Sequence, residues 1–195
     1  MTIAAKPEGY LESPVERLLT AKCVSGDQNA WGALHRQYFP IAVAFLRRLG
    51  VKPADLEDAS QEVFLQVFRY LSRFREEAEF RTWLFQLCIT QARRTRRSYY
   101  VRAVLDRVLA RSSGEVFVSG LGFSEDAAFQ RVEAALSRLS DAERAVFVLY
   151  EMQGVSGKEI ARIVGAKEAT VWRRLHYARR SFRGALGFEE EDDGA

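Results

Sequence analysis

Apolar positions recur along this chain at steps of three and four residues, the period of an α-helix, and strand-like alternation is scarce. The pattern predicts an all-α chain. Asp27 is placed to cap a first helix, on which Trp31, Leu34, Tyr38, Ile41, Phe45 and Leu49 follow at helical spacing until Gly50 stops it. Pro53 opens a second helix, with Asp55, Glu57 and Asp58 in its first turn, where the helix dipole favours acids. Its apolar stripe is Leu56, Val63, Phe64, Val67, Phe68 and Leu71. A third helix is expected from Thr82 to about Arg97, with Phe80, Trp83, Leu84, Leu87 and Cys88 inward.

The pattern lapses after YYVRAVLDRVLA, a short helix at most, because RSSGEVFVSGLGFS interleaves glycine and serine with isolated apolar residues. Residues 99–124 therefore read as a linker. Helical spacing returns at 125 and holds to 186, before an acidic tail over 187–195 that composition marks as disordered.

The second half is the more explicit. Ser140 with Glu143, and Ser156 with Glu159, are spaced as capping boxes. A short helix, GKEIARIV, ends at Gly165, where a left-handed turn costs glycine little, and a longer helix starts near Glu168. With Ala161 small enough for a close crossing and Val171 set to pack on Ile160 and Val164, this is helix-turn-helix spacing. The outer face of the long helix offers Lys167, Thr170, Arg173, Arg174, His176, Tyr177, Arg179 and Arg180, groups that can hold phosphates and read base edges. A bundle that merely solvates its arginines is the plain alternative. Six bases against one acid between Lys167 and Arg183, together with both capping boxes, favour DNA binding.

Charge sharpens that picture. The net charge is only +3, but it is segregated: ARRTRRS (92–98) and WRRLHYARRSFR (172–183) are basic, and EEEDD (189–193) is acidic. Crowding four arginines into 93–97 goes beyond what a helix C-terminus rewards and calls for a polyanion. Asp55, Asp58 and Glu62 share a helix face beside Gln61, and the residues alone leave dipole complementation and an arginine-bearing protein partner equally open. Cys23 and Cys88 lack metal-ligand or disulfide spacing, and no nucleophile–base pair, phosphate-cradling glycine loop or metal site is visible, so neither enzyme activity nor a cofactor is expected. The longest apolar run, IAVAFL, is too short for a membrane span, and MTIAAKPEGYLESP lacks the character of a signal peptide. A soluble cytoplasmic protein is expected.

LEDASQEVFLQVFRYLSRF followed by FRTWLFQLCITQARRTRR resembles region 2 of bacterial RNA polymerase sigma factors of the extracytoplasmic-function (ECF, group IV) type. LSDAERAVFVLYEMQGVSGKEIARIVGAKEATVWRRLHYARRSFR resembles their region 4. The resemblance implies two helical domains, region 2 over 22–98 and region 4 over 125–186, on a flexible linker. It implies that Asp55, Asp58, Gln61, Glu62 and Phe64 dock on the clamp coiled coil of the largest polymerase subunit. The loop Arg75–Phe80, with Arg81, Gln86, Thr90, Arg93, Arg94, Arg96 and Arg97, would capture and melt the −10 element. Trp83 fits the apolar stripe and is expected to be chiefly core. Region 4 would bind the −35 duplex and meet the polymerase flap, the linker would run toward the RNA exit path, and an anti-sigma factor would mask both domains. The sequence departs from the family in having ITQ at 89–91, where an asparagine is common, and an acidic loop, REEAEF. The rival reading is a stand-alone helix-turn-helix regulator with an N-terminal sensing or dimerisation domain; a third is a sigma-like protein that binds polymerase without melting DNA.

Overall fold

A computed structural model describes residues 14–74, 79–110 and 127–188. All regular structure among them is helical. The elements are α1 (Pro14–Val24), α2 (Gln28–Arg48), α3 (Pro53–Tyr70), a 3₁₀ turn at Leu71–Arg73, α4 (Phe80–Ala110), α5 (Ala127–Ser137), α6 (Asp141–Phe147) with a π segment at Val148–Met152, α7 (Gly157–Val164) and α8 (Glu168–Leu186).

The expected boundaries follow local chemistry. The Asp27 carboxylate accepts from the amides of Asn29 and Ala30 at 2.8 and 3.2 Å and caps α2. Gly50, at φ +85°, turns the chain into α3, whose first residue is Pro53. Both capping boxes form, each serine accepting from the backbone amide of its glutamate.

Three differences have physical causes. Helix α1 is absent from the pattern reading because its apolar residues do not share a face: Leu19 and Cys23 pack inward while Leu18 and Val24 stay exposed. Helix α4 passes the expected end at Arg97 and continues to Ala110, since no glycine or proline interrupts SYYVRAVLDRVLA. The remainder of the expected linker and the acidic tail lie outside the described residues. Phe68, assigned to the apolar stripe, is 65% exposed and rests against Trp31 with ring centroids 5.0 Å apart.

Helices α2, α3 and α4 pack around Leu34, Tyr38, Phe45, Val63, Phe80, Leu84 and Phe85, all of them buried. Helices α5 to α8 pack around Leu136, Val146, Leu149, Ile160, Val171 and Leu175. The two cores are continuous, because α4 lies against α7.

Candidate nucleic-acid and partner surfaces

The helix-turn-helix is built on its turn. Gly165 takes φ +66° and ψ +41° at the end of α7, and its amide donates to the Ala161 carbonyl. Ile160, Val171, Leu175 and Ala178 form the buried seam that fixes α8 against its neighbours. Opposite that seam, Arg173, His176, Tyr177 and Arg180 form an exposed strip, flanked by Lys167 at the N-terminus and by half-buried Thr170 and Arg174. Arg179 stands apart. Its guanidinium is held 2.6–2.7 Å from Glu151 and stacks 5.3 Å over Tyr150, both supplied by the π segment. The −35 residues expected from the sequence thus form one strip, with Arg179 on its margin.

Sequence reasoning passed over Trp172, whose role is positional. Its ring lies over Gly157 and meets Tyr150 edge-on at 5.4 Å, and its Nε1 donates to Glu168 at 3.3 Å. A buried glycine opening α7, fifteen positions before a tryptophan, was the available signal.

On α4 the expected −10 residues separate into three groups. Gln86, Thr90, Arg93 and Arg97 recur every three or four residues and form one solvent-facing strip. Arg94 turns toward α3. Arg81 and the half-buried Arg96 turn toward the second half: Arg81 Nη2 donates to Gln153 Oε1 at 2.7 Å, and Arg96 pairs with Asp141. Phe80 is corrected. It is completely buried among Tyr38, Phe74 and Trp83, which leaves it no edge for a base. Trp83 is half-buried in the same aromatic group, and Arg75 lies outside the described residues. Where the family often has asparagine, Gln91 is buried and bonded at 3.4 Å to both Gln66 and Thr95, so Thr90 is the exposed polar residue of the ITQ triplet.

The acidic face of α3 also divides. Asp55, Asp58 and Glu62 line a cleft shared with Arg94, Thr95 and Tyr99 of α4. Gln61 points outward and donates to Glu57 at 3.3 Å. Phe64 is half-buried and packs on His35 and Phe39 at 4.8 and 5.5 Å. Leu65 and Phe68, exposed beside Gln61 and Asp58, add an apolar surface, of which the stripe assignment had counted Phe68 as packed.

The described helices include none long and apolar enough to cross a membrane. The sigma-70 region 2 family model matches residues 34–100, and that of sigma-70 region 4 matches residues 129–182. RNA polymerase sigma factor CnrH of Cupriavidus metallidurans is 27% identical over 187 residues, covering 90% of this chain and 96% of that protein. The ECF RNA polymerase sigma-E factor of Escherichia coli is 28% identical over 178 residues, covering 86% and 92%. The solved structure of CnrH in complex with the cytosolic domain of CnrY superposes with a TM-score of 0.65 at 26% identity, covering 90% of this chain and 99% of that one. That of RpoE from Bartonella quintana, in complex with the anti-sigma factor NepR, shares the fold with a TM-score of 0.61 at 21% identity, covering 82% and 98%. With both regions matched in order on helices that carry the expected polar strips, the chain belongs to the sigma-70 family of RNA polymerase sigma factors, in its ECF branch.

Proposed function

We propose that this protein is an initiation subunit which binds core RNA polymerase and gives it promoter specificity, region 4 holding the −35 duplex through α8 and region 2 opening the −10 element along α4. The observation that carries the reading is the coexistence, on one chain, of two separate polar and basic strips and a third surface suited to protein. Arg173, His176, Tyr177 and Arg180 suit a major groove. Gln86, Thr90, Arg93 and Arg97 suit a single strand, with amide and hydroxyl groups ahead of two backbone-neutralising arginines. The edge of α3, with Asp58, Gln61 and Glu62 beside Leu65 and Phe68, joins charge to apolar area as a protein interface requires. A stand-alone regulator needs only the first of these.

The protein acts as a subunit without chemistry of its own, and it works in the cytoplasm with polymerase. Core binding involves the clamp coiled coil and the flap. An anti-sigma factor is the expected regulator, in keeping with solved relatives that were captured with CnrY or NepR. Two weak modules on one tether raise each other's effective concentration, so neither alone needs high affinity. The test is promoter-fragment binding with and without core polymerase across a salt series. Expected is weak, salt-steep binding by the free chain and sequence-selective binding with core. Selective binding of equal strength in both conditions overturns the proposal, as it would fit a stand-alone regulator. Permanganate reactivity of unpaired thymines separates melting from mere polymerase attachment, since a non-melting protein gives no signal.

A further inference from the structure

A cavity of about 370 Å³ opens where the turn between α2 and α3 meets α4, α5 and α6. Pockets for small ligands run from roughly 300 to 1,000 Å³, so the space is adequate for one. Five bases line it: Arg47 and Arg48 at the end of α2, Lys52 before α3, Arg96 on α4 and Arg144 on α6. Asp55 and Glu133 are the acids of its wall, and Asp141 pairs with Arg96 from outside it, so bases still exceed acids by two. The positive charge is also crowded. Arg96 Nη1 and Arg144 Nη1 both donate to the Leu49 carbonyl at 3.3 Å, so guanidiniums from two helices converge on one oxygen. Gly50 makes room for them, because a Cβ there would run into Arg144 and lie 3.6 Å from Arg96. Arg144, 4% exposed, forms the floor and is fixed further by the carbonyls of Leu136 and Leu139 at 2.7 and 3.4 Å. Glu133 answers Arg47 at 2.7 Å, but half-buried Arg48 belongs to no ion pair among the described residues. Lys52 lies 3.4 Å over the Tyr99 ring.

We propose that this cavity binds a small phosphate-bearing metabolite of the nucleoside diphosphate class, its phosphates among Arg48, Lys52, Arg96 and Arg144 and its base against Tyr99. Like charges gathered in a partly enclosed space repel one another, and an anion placed between them removes that cost. Planar guanidinium forks match phosphate oxygens in pairs, and an ammonium adds a point charge. A diphosphate is long enough to meet bases from α2, α4 and α6 together, which a single carboxylate is not. Tyr99 is 40% exposed and offers ring surface on which a base can stack. The recessed floor at Arg144 favours a small anion over the backbone of a duplex. Arg48, Lys52 and Arg144 belong to none of the surfaces proposed for DNA or core polymerase, so this site and the proposed function can fail separately.

The test is isothermal titration calorimetry of the full chain with ADP, inorganic pyrophosphate and adenosine, in a phosphate-free buffer containing EDTA. Expected is a single ADP per chain with a Kd below about 1 mM, weaker binding of pyrophosphate and none of adenosine. Thermal melts should agree, ADP at about ten times its Kd raising Tm by roughly 3–6 °C. Arg48→Ala/Lys52→Ala leaves the buried floor intact and should weaken ADP binding about tenfold or more. Arg173→Ala/Arg180→Ala, on the far strip of α8, should bind ADP as wild type does. If neither ADP nor pyrophosphate binds the wild-type chain at about 1 mM, the proposal is overturned whatever the variants do. Undiminished ADP affinity in Arg48→Ala/Lys52→Ala, with helicity unchanged by circular dichroism, overturns it too. So does an equal loss in the α8 variant, the mark of general attraction to polyanions. Pyrophosphate binding as tightly as ADP overturns the nucleoside assignment and supports a phosphate site alone.

Discussion

Replacing Gly157 with alanine sets two effects of opposite sign against each other. Gly157 opens α7, and its φ is not among the positive ones, so the backbone accepts alanine without strain. Helix propensity alone would favour alanine by up to about 1 kcal/mol. The added Cβ, however, would sit 2.5 Å from Trp172 Cζ2, 3.0 Å from Cε2 and 3.1 Å from Cη2. The ring cannot withdraw freely, because Tyr150 meets its edge and Glu168 holds its Nε1. Overpacking of this kind costs about 1–3 kcal/mol, so packing should win. At roughly 2–4 °C per kcal/mol for a chain of this size, the overpacking cost corresponds to about 2–12 °C in Tm, less what helix propensity returns, and is followed by circular dichroism. Tryptophan emission should shift as the ring is pushed outward. Adding Trp172→Ala should recover part of the Gly157→Ala loss, a coupling of about 1 kcal/mol or more in a double-mutant cycle by urea denaturation. If Gly157→Ala is as stable as wild type with unchanged emission, the packing argument fails.

Gly50→Ala combines a left-handed backbone cost of roughly 1–2 kcal/mol with displacement of the Arg144 guanidinium from the Leu49 carbonyl. Urea denaturation should show a loss of about 2 kcal/mol or more, the lost Arg144 bond adding roughly 1 kcal/mol while Arg96 still donates to the Leu49 carbonyl at 3.3 Å. Ser156→Ala removes a capping box and should cost about 1 kcal/mol by the same measurement, with no direct effect on DNA contacts. Burial pushes the Cys88 thiol well above its ordinary pKa, so in the folded protein it stays protonated at neutral and mildly alkaline pH. It should resist iodoacetamide until denaturant is added. Because the unfolded thiol ionises first, near pH ~8.5, the contribution of Cys88 to stability should decline as pH rises past that value.

The readily legible parts of the fold were those governed by local chemistry. Asp27, Ser140 and Ser156 mark helix starts through hydrogen bonds within three residues, and Gly50 and Gly165 mark turns through left-handed φ. The strip on α8 was legible because a single helical period sorts Val171, Leu175 and Ala178 from Arg173, His176 and Arg180. What stayed hidden depends on tertiary partners. Phe80 and Arg97 belong to the same helix, but only the packing of Tyr38 and Phe74 shows that Phe80 is enclosed. Phe68 sits at an apolar phase of α3, yet Trp31 of α2 covers only part of it and 65% stays exposed. Arg144 lies in an apolar run and pairs across 95 residues of chain with the Leu49 carbonyl, a contact that no local pattern encodes. Arg81 and Arg96 have the right chemistry for DNA, but the second half occupies them in this arrangement.

The central claim is that this chain directs core polymerase to particular promoters through the α3 edge and the α4 and α8 strips. Run-off transcription from a genomic fragment library, with core polymerase and either wild type or Asp58→Lys/Glu62→Lys, tests it most directly. The account expects discrete start sites with wild type, none with core alone, and loss of both core association and transcripts in the charge-reversed chain. Undiminished transcription and core binding by that variant would contradict the docking surface. Absence of any start site dependent on the wild-type chain would contradict the account as a whole.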